Sequence, residues 1–203
     1  KRQVVNSTFI SNTSNVGADF GGAIVHNSTG RLLIKNSAFF SNTATDDGGA
    51  IRVNDASAVV TILNSTFAYN QSSVDGGAIH IQNGTINITN TTIVNNSADG
   101  NGGGITAGGG SINIRNSIVA ANTDAAGGPN CHGFVNGFGV NFTDDNTGTV
   151  CPASFTENAN VASLLGAPGL NGGPTINFPL LEGHPAIDAI PAGACLDENG
   201  MDL

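Results

Sequence analysis

Short apolar runs with period-two alternation recur at regular intervals along this 203-residue chain. Leu32-Leu33-Ile34-Lys35 and Val59-Val60-Thr61-Ile62 are two of them. Bounded by Gly, Asn, Ser and Thr, such runs predict strands. No window holds the long stretch of three- and four-residue apolar spacing that a helix requires. Each run belongs to a repeated sentence, Asn-Ser/Thr-x-apolar-x-x-Asn, then a polar stretch, then Gly-Gly-Ala/Gly-Ile. The first half begins at Asn6, Asn36, Asn64, Asn90 and, more weakly, Asn116; the second half begins at Gly21, Gly48, Gly76 and Gly102. Self-similarity at this period marks a repeat architecture.

Aligned on the first Asn, the repeats form columns of like residues. Two positions before it stand Val4, Ile34, Ile62, Ile88 and Ile114, and four before it Leu32, Val60, Ile86 and Ile112. Three after it stand Phe9, Phe39, Phe67, Ile93 and Val119. After the Gly pair come Ile24, Ile51, Ile79 and Ile105, then His26, Val53, Ile81 and Ala107 two further on. Parallel strands stack about 4.8 Å apart, so each column predicts a stack of side chains in a central core. The columns before and after the Asn-Ser/Thr pair are an odd number of residues apart, so the chain must bend there to keep both inside. The prediction is an all-β, right-handed, single-stranded parallel β-helix of about five coils, with a loop-rich C-terminal section. Residues 1–124 form the coils, 125–160 a cysteine-bracketed insert and 161–203 an irregular capping section, all in one continuous domain.

The last Asn of each unit forms its own column: Asn12, Asn42, Asn70, Asn96 and Asn122. Asn tolerates left-handed backbone geometry, and its amide can bond to the copies above and below, so a structural corner ladder is expected. The Gly pairs predict backbone that turns or packs closely; no Lys-Ser/Thr follows them as a phosphate loop requires.

Composition narrows the function. Six Lys and Arg against 15 Asp and Glu leave a formal charge of −9, which argues against nucleic acid and anionic membranes. No apolar run is long enough for a transmembrane segment. Lys1 stands just ahead of a strand already in register, so a processed or omitted leader is expected. Cys131 and Cys151 are expected to form a disulfide closing the insert, which implies an oxidising, extracellular setting. Cys195 is left over, its partner expected beyond Leu203 or in another chain. His132 beside Cys131 is too small a group for zinc. Among many Asn-x-Ser/Thr sequons, Asn27, Asn83 and Asn141 are the expected glycosylation positions.

Gly-Gly-Ala-Ile alternating with Phe-x-x-Asn resembles the repeats of polymorphic outer membrane proteins, right-handed β-helix passengers on bacterial surfaces. Leu165-Gly166-Ala167-Pro168, Asn171-Gly172-Gly173-Pro174-Thr175 and Leu180 through Ala189 resemble the end of choice-of-anchor Q and CSLREA-type secreted proteins, within the pectate-lyase-like superfamily. The resemblance implies extracellular or cell-surface display without established catalysis. Asp197 through Leu203 departs from the family's continuation.

A carbohydrate-active enzyme, lyase or hydrolase, is the alternative, and a glycan-binding module a third reading. A calcium-dependent lyase needs clustered carboxylates and a basic residue. Asp19, Asp46, Asp47, Asp75 and Asp99 precede the Gly pairs, with stacked Asp47 and Asp75 as calcium candidates, although turn-forming Asp explains them more simply. Arg31, Lys35, Arg52 and Arg115 are scattered over different columns. Asn122-Thr123-Asp124 and Gly183-His184-Pro185 only partly match a polygalacturonase pattern. No catalytic residue, cofactor-binding residue or metal ligand is therefore assigned. The expectation is a non-catalytic structural or adhesive protein, self-associating head-to-tail through its β-helix ends into a filament, with glycans as further partners.

Overall fold

The computed structural model describes residues 2–15, 20–145, 151–152 and 154–191. Among these it is all-β, with parallel strands stacked into a solenoid of about five turns and no helix. Three parallel sheets run along the stack. The longest strands, Arg2–Val5, Gly30–Lys35, Ile51–Leu63, Ile79–Thr89, Ile105–Arg115 and Cys131–Phe138, follow one another in one sheet, with Ile24–His26 also paired to Ile51–Leu63. Thr8–Ile10, Ala38–Phe40, Thr66–Ala68, Thr92–Val94, Ile118–Ala120, Asn141–Thr143 and Phe155–Glu157 make the second. Two-residue strands from Thr13–Ser14 to Thr123–Asp124 make the third.

Every apolar column of the alignment is a register of this stack. Val4, Ile34, Ile62, Ile88 and Ile114 are successive pairing partners, as are Ile24, Ile51, Ile79 and Ile105. The Phe column packs ring on ring. Phe9, Phe39 and Phe67 have centroids 4.8 and 4.6 Å apart and planes within 2° of parallel, and Ile93 and Val119 continue the stack. Ile34, Phe39, Ile62, Phe67, Ile88 and Ile93 are buried in one continuous core.

The bend demanded by the odd spacing lies at the first Asn. Asn6, Asn36, Asn64, Asn90 and Asn116 all have φ between 45° and 51°, left-handed geometry that Asn adopts more readily than most residues. The expectation that the last Asn would carry that geometry is corrected: the residue before it does, at Ser11, Ser41, Tyr69, Asn95 and Ala121. Asn42, Asn70, Asn96 and Asn122 turn inward instead and, with the exposed Asn12 at one end, bond along the stack.

The Gly pair divides its work. The first Gly has positive φ, as in Gly48 (73°) and Gly76 (68°). The second lies under the next layer, where a Cβ on Gly49 would sit 2.1 Å from the carbonyl oxygen of Gly77.

Two features differ from the expected layout. Part of the cysteine-bracketed segment continues the stack: Cys131 pairs with Ile105, Val135 with Ile112 and Phe142 with Ile118. Cys131 is fully buried in the core column and disulfide-bonded to Cys151. Closing that loop contributes about 3 kcal/mol by restricting the unfolded chain.

The C-terminal section lies along the side of the solenoid rather than over its end. Val161, Leu165, Ile176, Phe178, Ala186 and Ala189 pack against a second apolar cluster made by Ala38, Phe40, Ala68, Val94, Ile118, Ala120 and Phe142. Bridges Leu165 to Leu180 and Gly169 to Asn177 fold the section on itself. A bond from Thr175 Oγ1 to the Asn36 carbonyl ties it back to the corner column.

His184 fastens this cover. It is 2% exposed; its Nε2 lies 3.0 Å from the Val161 carbonyl and its Nδ1 accepts the Ala186 N–H. This fixes the neutral Nε2–H tautomer, and burial lowers the pKa below the ordinary 6.5, partly opposed by the Val161 bond. A histidine whose folded pKa is depressed contributes stability that is present above its unfolded value and lost as pH falls through the folded one. We therefore expect the cover to loosen below about pH 6.5. Amide protection over residues 161–187, taken relative to the intrinsic exchange rate at each pH, should fall between pH 7.5 and 5 in the parent chain, and His184→Gln should remove that fall.

Candidate functional site

The most repeated polar side chains are structural. Asn42 donates its N–H and its amide to Asn70 Oδ1 at 3.0 and 2.8 Å. Asn70 does the same to Asn96, and Asn96 to Asn122. Asn12 joins at one end and Asn130 at the other, so the ladder runs through six layers. A second amide file, Asn87, Asn113 and Asn136, bonds along the outside.

The sequence-derived carboxylates are of two kinds. Asp124 is consumed by backbone: Oδ1 accepts from Gly127 and Gly128, and Oδ2 from Gly102 and Gly128. Asp47 and Asp75 also anchor turns, Asp47 Oδ1 accepting the Asp75 N–H and Asp75 Oδ1 accepting the Asn101 N–H and side-chain amide. They are also brought to a residue the sequence did not connect with them. His80 stands between Arg52 and Thr106 in the outward register of the long-strand sheet, yet is 2% exposed. Its Nδ1 lies 3.5 Å from Asp47 Oδ2, as does Arg52 Nε. Donor atoms of Asp47, Asp75 and His80 lie within 4.8 Å of one another.

The electrostatics of this cluster follow from its burial. Desolvation raises the Asp47 pKa, opposed first by His80, with Asp46 adding repulsion and Arg52 relieving it. Desolvation lowers that of His80, opposed first by Asp47. Burial thus favours the neutral imidazole. The Arg52 guanidinium carbon also lies 3.4 Å from the centroid of the Phe20 ring.

The remaining expected positions separate cleanly. Asn27 and Asn83 are exposed, Asn83 bonding to Asn54. Asn141 is a correction: it is fully buried, its amide donating to the Ile114 and Phe138 carbonyls and its Oδ1 accepting from Ser117. A glycan cannot be carried there in the folded chain. It occupies the column of Ser37, Ser65, Thr91 and Ser117, hidden in sequence by the altered spacing after Asn116. His184 belongs to the side cover, and His132 is exposed beside a disulfide-bonded cysteine. Asp19, Cys195 and Asp197 to Leu203 lie outside the described residues.

A cavity of about 300 Å³ lies between the corner column and the side cover, lined by Asn64, Asn90, Asn116, Phe142, Phe178 and Leu180 among others. Among the described residues no helix is long and apolar enough to cross a membrane.

No curated protein and no solved structure matches the chain. A family model does match: residues 36–54 and 64–82 correspond to the Chlamydia polymorphic membrane protein repeat. Each matched segment begins at a left-handed corner Asn and ends beyond the Gly pair and the Ile of the next core column. The chain is thus a parallel β-solenoid of which two successive units are similar to polymorphic membrane protein repeats.

Proposed function

We propose that this chain is a non-catalytic scaffold displayed at a bacterial surface, associated with the outer membrane or exported beyond it. The carrying observation is the repeat match over residues 36–54 and 64–82, which links this coil geometry to surface proteins. Two others support it. The disulfide between Cys131 and Cys151 suits an oxidising compartment. The repeated Asn, Gly and Phe residues are occupied inside the coil, leaving function to the exposed loops. The C-terminal likeness to choice-of-anchor Q and CSLREA-type proteins of the pectate-lyase-like superfamily adds secretion to this reading.

Protease treatment of intact cells of the source bacterium tests it. The chain should be cleaved before permeabilisation; cleavage only afterwards contradicts surface display. Incubation with polyuronates, with and without calcium, tests the catalytic alternative, and unsaturated products abolished by Asp47→Ala would overturn the non-catalytic reading. Adhesion and head-to-tail association belong to the same proposal. Light scattering should show concentration-dependent growth; a monodisperse monomer at high concentration contradicts it.

A further inference from the structure

We propose that Asp47, Asp75 and His80 form a binding site for one transition-metal dication of the Zn²⁺ or Co²⁺ class, joining the loop of Asp47 to the loop and strand of the next coil, which carry Asp75 and His80.

The geometry begins with His80, an outward-register residue that is nonetheless 2% exposed, its Nδ1 turned to the loop residue Asp47. Its Nδ1 has no hydrogen-bond partner and lies 3.5 Å from Asp47 Oδ2, beyond hydrogen-bond length. A buried imidazole nitrogen left unmatched is an exception that calls for a partner. Space around the ring is set by the next layer: a Cβ on Gly108 would sit 3.0 Å from Nε2 and 3.5 Å from Cε1, so glycine there leaves room for the imidazole.

Both carboxylates are oriented before any ion arrives. Asp47 is held through Oδ1 by the Asp75 N–H, which leaves Oδ2 facing both His80 Nδ1 and Arg52 Nε at 3.5 Å, so a bound ion would displace the guanidinium from this oxygen. Asp75 is held through Oδ1 by Asn101. Bonds of this kind fix metal-ligating carboxylates in direction. The three donors span at most 4.8 Å, whereas donors at bond lengths of about 2.0–2.2 Å from one ion lie roughly 3–4 Å apart. Closure needs about an ångström of side-chain movement. The charge around His80 also suits a dication: the carboxylates of Asp46, Asp47 and Asp75 outnumber the one guanidinium, that of Arg52.

Ligand chemistry selects the ion. Calcium and magnesium take all-oxygen shells, whereas an imidazole with two carboxylates favours zinc, cobalt and their neighbours. Three protein ligands leave the remaining coordination to water. The sequence could suggest only calcium, because His80 lies in a different column from the two Asp residues.

The test is metal titration of the chelator-treated, tag-free full chain. Calorimetry with Zn²⁺ and absorption with Co²⁺ should each give one saturable site per chain, with a Kd of about 10 μM or tighter. Calcium should bind at least tenfold more weakly. His80→Gln and Asp75→Asn should each weaken Zn²⁺ binding at least tenfold, and the rise in Tm that Zn²⁺ gives the parent should disappear. The exposed Asp99→Asn should leave both unchanged. Asp75 is only half-buried, so Asp75→Asn supplies the comparison if His80→Gln fails to fold. No saturable uptake up to about 1 mM metal, uptake unaffected by the substitutions, or calcium binding as tight as zinc would overturn the proposal.

Discussion

Asn70→Ala should cost about 4–5 kcal/mol of folding stability, summing the groups it leaves unsatisfied at about 1–3 kcal/mol each. Asn70 is completely buried. Its Oδ1 accepts the N–H and the amide of Asn42, and its own amide donates to the Phe39 carbonyl and to Asn96 Oδ1. Alanine removes all four bonds at once. The Asn42 N–H and the Phe39 carbonyl then lose the partners these bonds give them, at fully buried positions. Asn42 keeps its bond to the Phe9 carbonyl, and Asn96 still receives the residue-70 N–H, which sets the upper bound. Asn12→Ala is the internal comparison: that residue is exposed at the end of the ladder, and its loss should cost about 1 kcal/mol or less. Equilibrium urea unfolding with the disulfide intact should show this difference. Equal effects at the two positions would mean that the ladder does not carry the corner.

Gly77→Ala should cost about 3 kcal/mol or more, by sterics rather than backbone strain. Gly77 is not among the positive-φ glycines; its neighbour Gly76 is. A Cβ on Gly77 would lie 2.2 Å from the Gly103 carbonyl oxygen and 2.4 Å from that of Ser97. Both atoms are backbone of the next layer, so relief requires the layers to separate. That would disturb the bonds from Gly77 N to Gly102 O and from Ala78 N to Gly104 O. In a stack stabilised by neighbour contacts, such a break divides the array. Thermal melting should show a large fall in Tm, or two transitions where the parent has one.

The fold was legible because a parallel in-register stack converts spatial contact into sequence period. Phe39 over Phe67 and Ile62 over Ile88 are contacts that simple alignment recovers. The bend followed from parity alone, and the left-handed Asn36 and Asn64 show how the backbone makes it. The side cover was not foreseen, although its signal was present. Thr92-Ile93-Val94 and Ile118-Val119-Ala120 lack strict alternation, and strands buried on both faces lose it; Val94 and Ala120 are the outward members that the cover hides. The buried Asn141 was missed because the Gly-rich segment shifts the interval that assigns a residue to its column. The meeting of His80 with Asp47 and Asp75 was not readable, because loop residues follow no column.

Native-state amide exchange of Asn42, Asn70 and Asn96 tests most directly whether the repeat encodes the scaffold rather than a binding surface. Each N–H donates to the Oδ1 of the next Asn at 2.9–3.0 Å within the core. These amides should exchange as slowly as those of Ile62 and Ile88 in the central strands. Exchange near the rate of an unstructured peptide, with Ile62 and Ile88 still protected, would contradict the account.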